Sequence, residues 1–446
     1  MDMLQIYAQA SGERWHMPGH KGRTPVRGDF LCWEFDVTEI GPMDKNPNPV
    51  QVSERLMAAV SGADRTWYSV AGATLPVMAA ILAANRFEST LRVDRTLHRS
   101  VLGALTVGGY QAEWIYPQFV RAGLMLPLRE FGADFSGNSG LVLTRPTYDG
   151  LAASIQSVID EAHRQGLTVV VDEAHGSHWS GEWYPESALS MGADLVAHGV
   201  HKTEASLTQT GLLHLQGHRI DPSEVDRWWR ILGTSSPSYL LLASLDRLQW
   251  ERHQPHYRDR WQRLAERAES LWNTMTAMGI PVLQPWAKAE GLSVDPARLT
   301  LLGPGKELAE RLARYGELEK VTPGSATLFL SPDQELSLII EALRGMDFRS
   351  AEGALEPLEF PRLNSAMTVR EAASRNGRRV GLAESRGLVI KEAVTPYPPG
   401  IPVALPGEQM TEAMIDWLKW WAATTTAPIQ GLTWQNGRAA IEVVDE

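Results

Sequence analysis

Short apolar runs alternate with amphipathic stretches along the first half of the chain. The strand-like runs are rich in β-branched or aliphatic side chains and lie at residues 141–144, 168–171, 194–197 and 211–215. Stretches with helical periodicity lie at 50–60, 75–84 and 154–164, and Thr74 is the predicted N-cap of the second, with Pro76 in its first turn. Alternation of this kind is typical of βαβ units. We therefore predict an α/β domain with a mostly parallel sheet at about residues 51–250.

The rest of the chain divides into three further segments. Residues 1–50 are rich in Pro and Gly and predict an N-terminal arm. One long amphipathic helix at 247–278 is predicted to lead into a smaller α+β domain at 251–345, with strands at 299–302 and 326–330 and helices at 307–315 and 334–343. A C-terminal domain at 346–446 follows, with a Trp-rich helix at 411–422.

The net charge and the cysteine content exclude several classes of partner and site for this protein. The formal net charge over 446 residues is −11, and no run of Lys or Arg occurs, so nucleic acid is not an expected partner. The single cysteine, Cys32, excludes an intramolecular disulfide and Cys-rich metal sites. No signal peptide and no apolar stretch of about 18 residues is found. These features predict a cytoplasmic protein without a membrane partner.

Two residues at the edge of the predicted sheet indicate a chemistry. Asp172 follows the strand at 168–171 directly, and Lys202 comes after the next strand, so both are expected beyond the carboxyl ends of parallel strands. A lysine amine can bind the aldehyde of pyridoxal phosphate (PLP), and a carboxylate can keep its pyridine nitrogen protonated. Residues 71–74, Ala-Gly-Ala-Thr, precede a helix whose N–H groups suit a phosphate. His98 is the candidate for stacking on the ring.

Other interpretations of the same residues are disfavoured. Three histidine pairs have a spacing compatible with zinc: His16 and His20, His175 and His178, His198 and His201. The His-Glu-x-x-His motif of a zinc hydrolase is absent, so we predict no metal. Residues 172–175 spell a helicase box, but no phosphate-binding loop of the required spacing precedes it.

Seven short motifs in order resemble the Orn/Lys/Arg decarboxylase family along nearly the whole chain. They are His16–Gly22 (HMPGHKG), Asp36–Glu39 (DVTE), Asp94–Ser100 (DRTLHRS), Pro146–Gly150 (PTYDG), Asp172–His178 (DEAHGSH), His201–Gln209 (HKTEASLTQ) and Tyr397–Glu408 (YPPGIPVALPGE). The resemblance implies PLP fold type I, like aspartate aminotransferase, with a mostly parallel seven-stranded sheet. It also implies a compact member without an N-terminal wing domain, which acts as a homodimer or a dimer-based oligomer.

The resemblance assigns PLP to particular residues. Lys202 forms the Schiff base, Asp172 pairs with the pyridine nitrogen, and His98 stacks on the ring. The phosphate is bound by three consecutive residues: Gly72, Ala73 and Thr74.

It also assigns residues to the substrate and to proton transfer. His201, beside the lysine, is implied as a proton donor, and His175 is implied to lie close to the ring and to the substrate carboxylate. Thr147 is expected near the ring edge. Glu392 and Glu408 are the candidates for the distal cation of the substrate.

The implied reaction is decarboxylation of arginine or lysine, with ornithine as a third option, to CO₂ and agmatine, cadaverine or putrescine. Two alternatives stay open: an aminotransferase that holds the substrate carboxylate with Arg378 or Arg379, and a homologue with weak or lost activity. The second is motivated by Ala73 and Gly199, which stand where the family has phosphate-binding hydroxyls, each worth roughly 1.5–3 kcal/mol. Glu204 is expected to raise the pKa of the Lys202 amine or to repel the phosphate.

Overall fold

The computed structural model describes residues 48–129, 131–132, 134–316, 318–397, 400–425, 427–435 and 438–445. Most of the predicted arm, with Cys32 and the motifs at 16–22 and 36–39, lies outside the described residues, as do Pro398 and Pro399. None of the helices in the described ranges combines the length and the apolar character needed to cross a bilayer.

Helices and strands alternate through the described chain. The helices are α1 (Pro49–Ser61), α2 (Thr74–Ala84), α3 (Arg99–Gly108), α4 (Gln156–Arg164), α5 (Pro222–Leu232), α6 (Tyr239–Arg252), α7 (Pro255–Ala277), α8 (Leu283–Ala289), α9 (Gly305–Leu312), α10 (Ser337–Leu343), α11 (Val369–Ser374) and α12 (Glu412–Thr424). The strands are β1 (Arg65–Ser69), β2 (Thr90–Asp94), β3 (Gln111–Ile115), β4 (Phe119–Val120), β5 (Leu124–Met125), β6 (Asn138–Thr144), β7 (Leu151–Ala152), β8 (Thr168–Asp172), β9 (Leu195–His198), β10 (Gly211–Leu215), β11 (Ser293–Val294), β12 (Arg298–Leu302), β13 (Lys320–Thr322), β14 (Ser325–Phe329), β15 (Gly377–Gly381), β16 (Thr395–Pro396), β17 (Ile429–Gln430), β18 (Leu432–Gln435) and β19 (Arg438–Val444).

A seven-stranded sheet forms the centre of the large domain, in the order β1-β10-β9-β8-β6-β2-β3. The five strands from β9 to β3 are parallel, whereas β10 and β1 run antiparallel to their neighbours. Because β6, β8 and β9 are buried on both faces, they read in the sequence as continuous apolar runs. The predicted mostly parallel α/β sheet is confirmed.

Helix α2 packs across this sheet and is apolar on nearly all sides. Its residues from Leu75 to Leu82 are buried, except for Met78, which is only partly exposed. The N-cap is Ala73 rather than the predicted Thr74, because the Ala73 carbonyl already accepts the first helical hydrogen bond, from the Val77 N–H at 3.0 Å. The prediction was therefore wrong by one residue, and Ala73 offers no capping side chain.

The prediction of a single long helix at 247–278 is wrong, because two helices occupy this range. Helix α6 ends at Arg252 and α7 begins at Pro255, with Gln254 in an extended conformation between them (φ −83°, ψ 137°). Proline has no N–H for a continuing helix, and its ring disfavours helical geometry at the preceding residue. The βαβ pattern predicts a helix between β8 and β9 as well, and this prediction is wrong, because residues 173–194 form turns and loops without a helix.

The other strands of the described residues form two three-stranded sheets and three two-stranded pairs, β4 with β5, β7 with β11 and β16 with β17. Strands β12, β14 and β13 form an antiparallel sheet that shares a core with α7, α8, α9 and α10. Strand β11 pairs with β7, which joins this smaller domain to the large one. In the C-terminal segment, β15, β19 and β18 form a sheet that shares a core with α12, to which Trp417 and Trp421 contribute. The domain boundaries given above stay predictions.

Candidate active site

Two neighbouring parallel strands bring the predicted acid and the predicted lysine to one edge of the sheet. Asp172 is the last residue of β8, and its backbone lies opposite Ala197 of β9. Strand β9 ends at His198, and a 3₁₀ turn (Val200–Lys202) follows after Gly199. The strand order alone therefore places Asp172 and Lys202 beyond the same carboxyl edge.

The amine of Lys202 lies in a mostly buried pocket beside His175. The Lys202 Nζ atom is 2.9 Å from the His175 Nε2 atom. Burial lowers the pKa of Lys202; the nearby Arg298 adds to this effect, and Asp172 opposes it. Burial likewise holds the pKa of His175 well below its usual value, with Lys202 and Arg298 as further causes. Both side chains are therefore biased toward their neutral forms.

His98 is held at the start of α3, facing the same site. It is the N-cap residue of that helix: its Nδ1 atom accepts a hydrogen bond from the Ser100 N–H at 3.2 Å and lies 2.9 Å from the Ser100 Oγ. Burial lowers the pKa of His98, and the charges of Asp172 and Lys202 both act on it. The structure thus brings His98, Asp172 and Lys202 together.

The loop before α2 forms a backbone cradle at this edge. Gly72 has φ +62°, a left-handed conformation that favours glycine, and its N–H donates to the Gln209 carbonyl at 2.7 Å. Gly211, at the start of β10, lies so close that a Cβ atom there would sit 2.5 Å from the Gly72 oxygen. The first-turn N–H groups of Thr74 and Leu75 have no acceptor within the helix, so they suit an anion.

His201 lies against this cradle. A Cβ atom at Gly72 would be 3.7 Å from the His201 Cε1 atom, and the His201 Nδ1–H donates to the Thr210 carbonyl at 2.7 Å. Burial lowers the pKa of His201. Together, a buried amine, a carboxylate, an imidazole and a helix N-terminus are the donor set that PLP requires, so these residues fit the cofactor.

Gly199 and Glu204 differ from what the sequence suggested. A Cβ atom at Gly199 would be 3.1 Å from the Ala174 oxygen and 3.2 Å from the Lys202 Cε, so glycine leaves room for the lysine chain. Glu204 is fully buried and forms an ion pair with Arg252 at 2.7 Å, and it also accepts a hydrogen bond from Tyr257. The expected rise in the pKa of Lys202 is not found, since that pKa is lowered.

The predicted substrate carboxylates do not join this cluster. Glu392 is exposed. Glu408 is buried, accepts a hydrogen bond from the Leu405 N–H at 2.7 Å, and lies 3.4 Å from Arg95. Thr147 is buried and accepts a hydrogen bond from the Leu151 N–H at 3.2 Å. Among the described residues, Glu392 and Glu408 have no recorded contact with Lys202 or His175.

The arginines of the aminotransferase alternative lie away from Lys202, and two histidines of the zinc alternative are paired with carboxylates. Arg378 and Arg379 are exposed on β15. His178 bonds Asp295 at 3.0 Å, and His198 bonds Glu173 at 3.0 Å. Within the described part of the chain, no three His, Cys, Asp or Glu side chains are grouped to bind a metal. His16 and His20 lie outside that part.

Three residues near Lys202 were missed by the sequence reasoning. Arg298, at the start of β12, is fully buried, and its Nη2 atom lies 3.4 Å from the His175 Nδ1 atom. The ring of Tyr148 is 4.8 Å from that of His175, and its hydroxyl donates to Glu319. For Arg298 the available signal was its position directly before the predicted apolar strand at 299–302, since buried arginines are uncommon unless paired. Tyr148 lies in the motif at 146–150, but no role was assigned to it.

Comparison with known proteins gives one consistent answer. The family description "Orn/Lys/Arg decarboxylase, major domain" matches residues 1–321, and "Orn/Lys/Arg decarboxylase, C-terminal domain" matches residues 350–444. The chain is 29% identical to an arginine decarboxylase of Bacillus subtilis, covering 93% of this chain and 91% of the relative. It is 23% identical to the constitutive lysine decarboxylase of Escherichia coli, covering 89% and 73%. The crystal structure of a Francisella novicida lysine decarboxylase superimposes with a TM-score of 0.83 at 18% identity, covering 99% of this chain and 80% of that one.

Proposed function

The chain belongs to the Orn/Lys/Arg decarboxylase family and is an amino-acid decarboxylase, and on that premise we propose that it releases CO₂ from arginine or lysine with PLP bound at Lys202. The fold is that of PLP fold type I, as the sequence predicted. Arginine is the first candidate substrate because the arginine decarboxylases share more identity with this chain than the lysine decarboxylases do.

The observation that carries this proposal is the environment of the Lys202 amine. A neutral amine is the nucleophilic form, and burial together with the 2.9 Å contact to His175 favours that form. When bound, PLP supplies an electron sink for the pair released as CO₂ leaves. Lys202 would bind the aldehyde of PLP, Asp172 would pair with the pyridine nitrogen, and His98 would stack on the face of the ring.

The remaining residues of the site would orient the cofactor and move protons. The N–H groups at residues 73–75 would hold the phosphate, since the Gly72 N–H already donates to the Gln209 carbonyl. The His201 imidazole would lie beside the phosphate, which accords with its position against Gly72. A proton must reach the substrate Cα after CO₂ has left. His175, next to the amine, and His201 are the proposed donors; the proton-donor role of His201 stays a prediction, as do the substrate roles of Thr147, Glu392 and Glu408.

The test is to trap the cofactor and to identify the products. Purified protein is mixed with PLP, reduced with borohydride and digested, and mass spectrometry should find the pyridoxyl adduct on Lys202. A parallel incubation with arginine, lysine or ornithine should release CO₂ and one equivalent of agmatine, cadaverine or putrescine. An adduct on another side chain would contradict the assignment of Lys202. A keto acid in place of CO₂ would favour the aminotransferase alternative.

We also propose a homodimer or dimer-based oligomer, because sites of this fold usually form between two subunits. Sedimentation at micromolar concentration should show at least a dimer. A fully active monomer would contradict this proposal. The cytoplasmic location stays a prediction.

A further inference from the structure

His175 contacts two basic side chains, one on each side of its ring. Its Nε2 atom faces the Lys202 Nζ at 2.9 Å, and its Nδ1 atom faces the Arg298 Nη2 at 3.4 Å. His175 follows β8 of the large domain, whereas Arg298 begins β12 of the smaller domain. The imidazole therefore connects the two domains at the reacting amine.

The chemistry of the two neighbours restricts the protons on this ring. A guanidinium group only donates hydrogen bonds, so the His175 Nδ1 must accept from Arg298. A neutral imidazole carries one N–H, and here that N–H must be on Nε2. The Nε2–H then points at the Lys202 Nζ, which can accept a hydrogen bond only through the lone pair of an uncharged amine.

We propose that Arg298 is a positioning residue that fixes His175 as the Nε2–H tautomer and thereby keeps Lys202 a neutral amine, ready to bind an aldehyde. The proposal rests on the proposed function insofar as Lys202 is the residue that holds PLP. Nothing in it depends on which amino acid is the substrate.

Arg298 is held firmly enough to act in this way. Its Nη1 atom donates to the Ala297 carbonyl at 3.1 Å and lies 3.7 Å from Asp295, and its guanidinium carbon is 3.5 Å from the centre of the Phe329 ring. Asp295 is fixed in turn by His178 at 3.0 Å. With the side chain fully buried, the planar donor group has little freedom to turn away from His175.

The charges around Lys202 agree with this assignment. The groups that act on its pKa come from several elements: Asp172 at the end of β8 and Glu319 before β13 raise it, while Arg298 lowers it. His98, His175 and His201 also face the amine, and the pKa of each is lowered, with burial as the first cause. Burial of Lys202 outweighs its two carboxylates, so the net direction is toward the neutral amine.

The tautomer can be measured on the wild-type protein without PLP or substrate. In ¹⁵N-histidine-labelled protein, the His175 signals are assigned by comparison with His175→Gln. We expect the chemical shifts of a neutral ring with its proton on Nε2. A neutral ring with its proton on Nδ1, or a protonated ring at neutral pH, would overturn the proposal whether or not the enzyme decarboxylates any amino acid.

A second measurement tests the effect on the lysine. The PLP-free protein is acetylated over a range of pH, and mass spectrometry follows the rate at Lys202. Arg298→Met should shift the profile to higher pH and slow labelling near neutral pH by about tenfold, which corresponds to one pKa unit. Arg298→Lys, which keeps a cationic donor, should restore most of the rate.

Arg311→Met is the matched control. Arg311 lies in the same domain and pairs with Glu307 at 3.2 Å, but it does not act on Lys202. An unchanged Lys202 profile in folded Arg298→Met, or an equal shift in Arg311→Met, would contradict the proposal. If Arg298→Met does not fold, the His175 tautomer measured on the wild-type protein decides whether the proposal stands. Absence of CO₂ from every amino acid would refute the proposed function alone.

Discussion

Two buried clusters of ionisable side chains adjoin the turn that carries Lys202, and they differ in how their charges are balanced. The paired cluster comprises Glu204, Arg252 and Tyr257. The amine cluster comprises Lys202, His175 and Arg298. Only Thr203 lies between Lys202 and Glu204, so the contrast arises from their partners and not from the local backbone.

In the paired cluster every charge is compensated. Arg252 donates to both Glu204 oxygens, at 3.0 and 2.7 Å, and also to Ser61 and Ser177. Burial alone would raise the pKa of Glu204, but Arg252 and Tyr257 outweigh it and hold that pKa below its usual value. Both members of the ion pair are thus kept charged, which is the arrangement of a structural ion pair.

In the amine cluster, burial outweighs the attraction of the nearby carboxylates. The pKa of Lys202 and that of Arg298 are both lowered, with burial as the first cause. Such an arrangement favours a nucleophile over stability, as perturbed groups at functional sites generally do. The comparison therefore separates residues needed for chemistry from residues needed for folding, and the predictions below test that separation.

Lys202→Ala should have the largest effect. Without the amine there is no covalent attachment for PLP, so CO₂ release should fall to background and the borohydride adduct should disappear. Tyr257→Phe, in the paired cluster, is the control and should keep most of the activity. Turnover by Lys202→Ala at the wild-type rate would contradict the assignment of the amine cluster to the chemistry.

Asp172→Ala should follow, with a loss of activity by orders of magnitude but retention of the PLP adduct. In the proposed assignment the carboxylate would keep the ring nitrogen protonated, so its removal should weaken the electron sink while leaving the amine in place. The measurement is CO₂ release together with the mass of the trapped peptide. Wild-type turnover in this variant would show that Asp172 has a structural role only.

Arg252→Met should act on stability instead of chemistry. Removing one partner of a buried ion pair costs about 3–5 kcal/mol, because the other charge is left uncompensated. Denaturant unfolding should show this loss, while any protein that remains folded should still form the Lys202 adduct. Replacing Glu204 as well, as in Glu204→Leu with Arg252→Met, should recover much of the stability. A loss below about 1 kcal/mol in the single variant would indicate that the pair is not structural.

The sequence was most informative where chemistry and secondary structure share a short segment. Strands β6, β8, β9 and β10 were predicted to within a few residues because doubly buried strands read as continuous apolar runs. Asp172 follows one such run directly and Lys202 comes shortly after the next, so their common edge could be inferred from topology.

Contacts between domains could not be predicted in the same way. Arg298 is 123 residues from His175 in sequence, and no local pattern relates the two. Glu204 was misjudged for the same reason, since its partner Arg252 is 48 residues away. The break before Pro255 is a different case, because the sequence contains a local signal for it. The proline indicates a helix boundary, but the amphipathic periodicity continues across it and favoured a single helix.

The smallest predicted effect concerns the two positions where the family's hydroxyls are missing. Ala73→Ser adds a hydroxyl at the N-terminus of α2, within the cradle at residues 72–75, and should tighten PLP binding. One hydrogen bond to a charged group is worth roughly 1.5 kcal/mol at the lower end, or about tenfold in Kd. Titration of PLP against protein absorbance measures the change, with Ala83→Ser in the same helix as the control.

Gly199→Ser should not give the same gain, although it restores the other hydroxyl. Its Cβ would meet the Ala174 oxygen at 3.1 Å and the Lys202 Cε at 3.2 Å, so the lysine chain would have to move away from His175. Equal or weaker PLP binding by Gly199→Ser, with tighter binding by Ala73→Ser, would show that the glycine is part of the arrangement that favours the neutral amine. Tighter binding by both variants would show that Gly199 has no steric role and only lacks a phosphate-binding hydroxyl. It would also show that the amine cluster tolerates a displaced lysine.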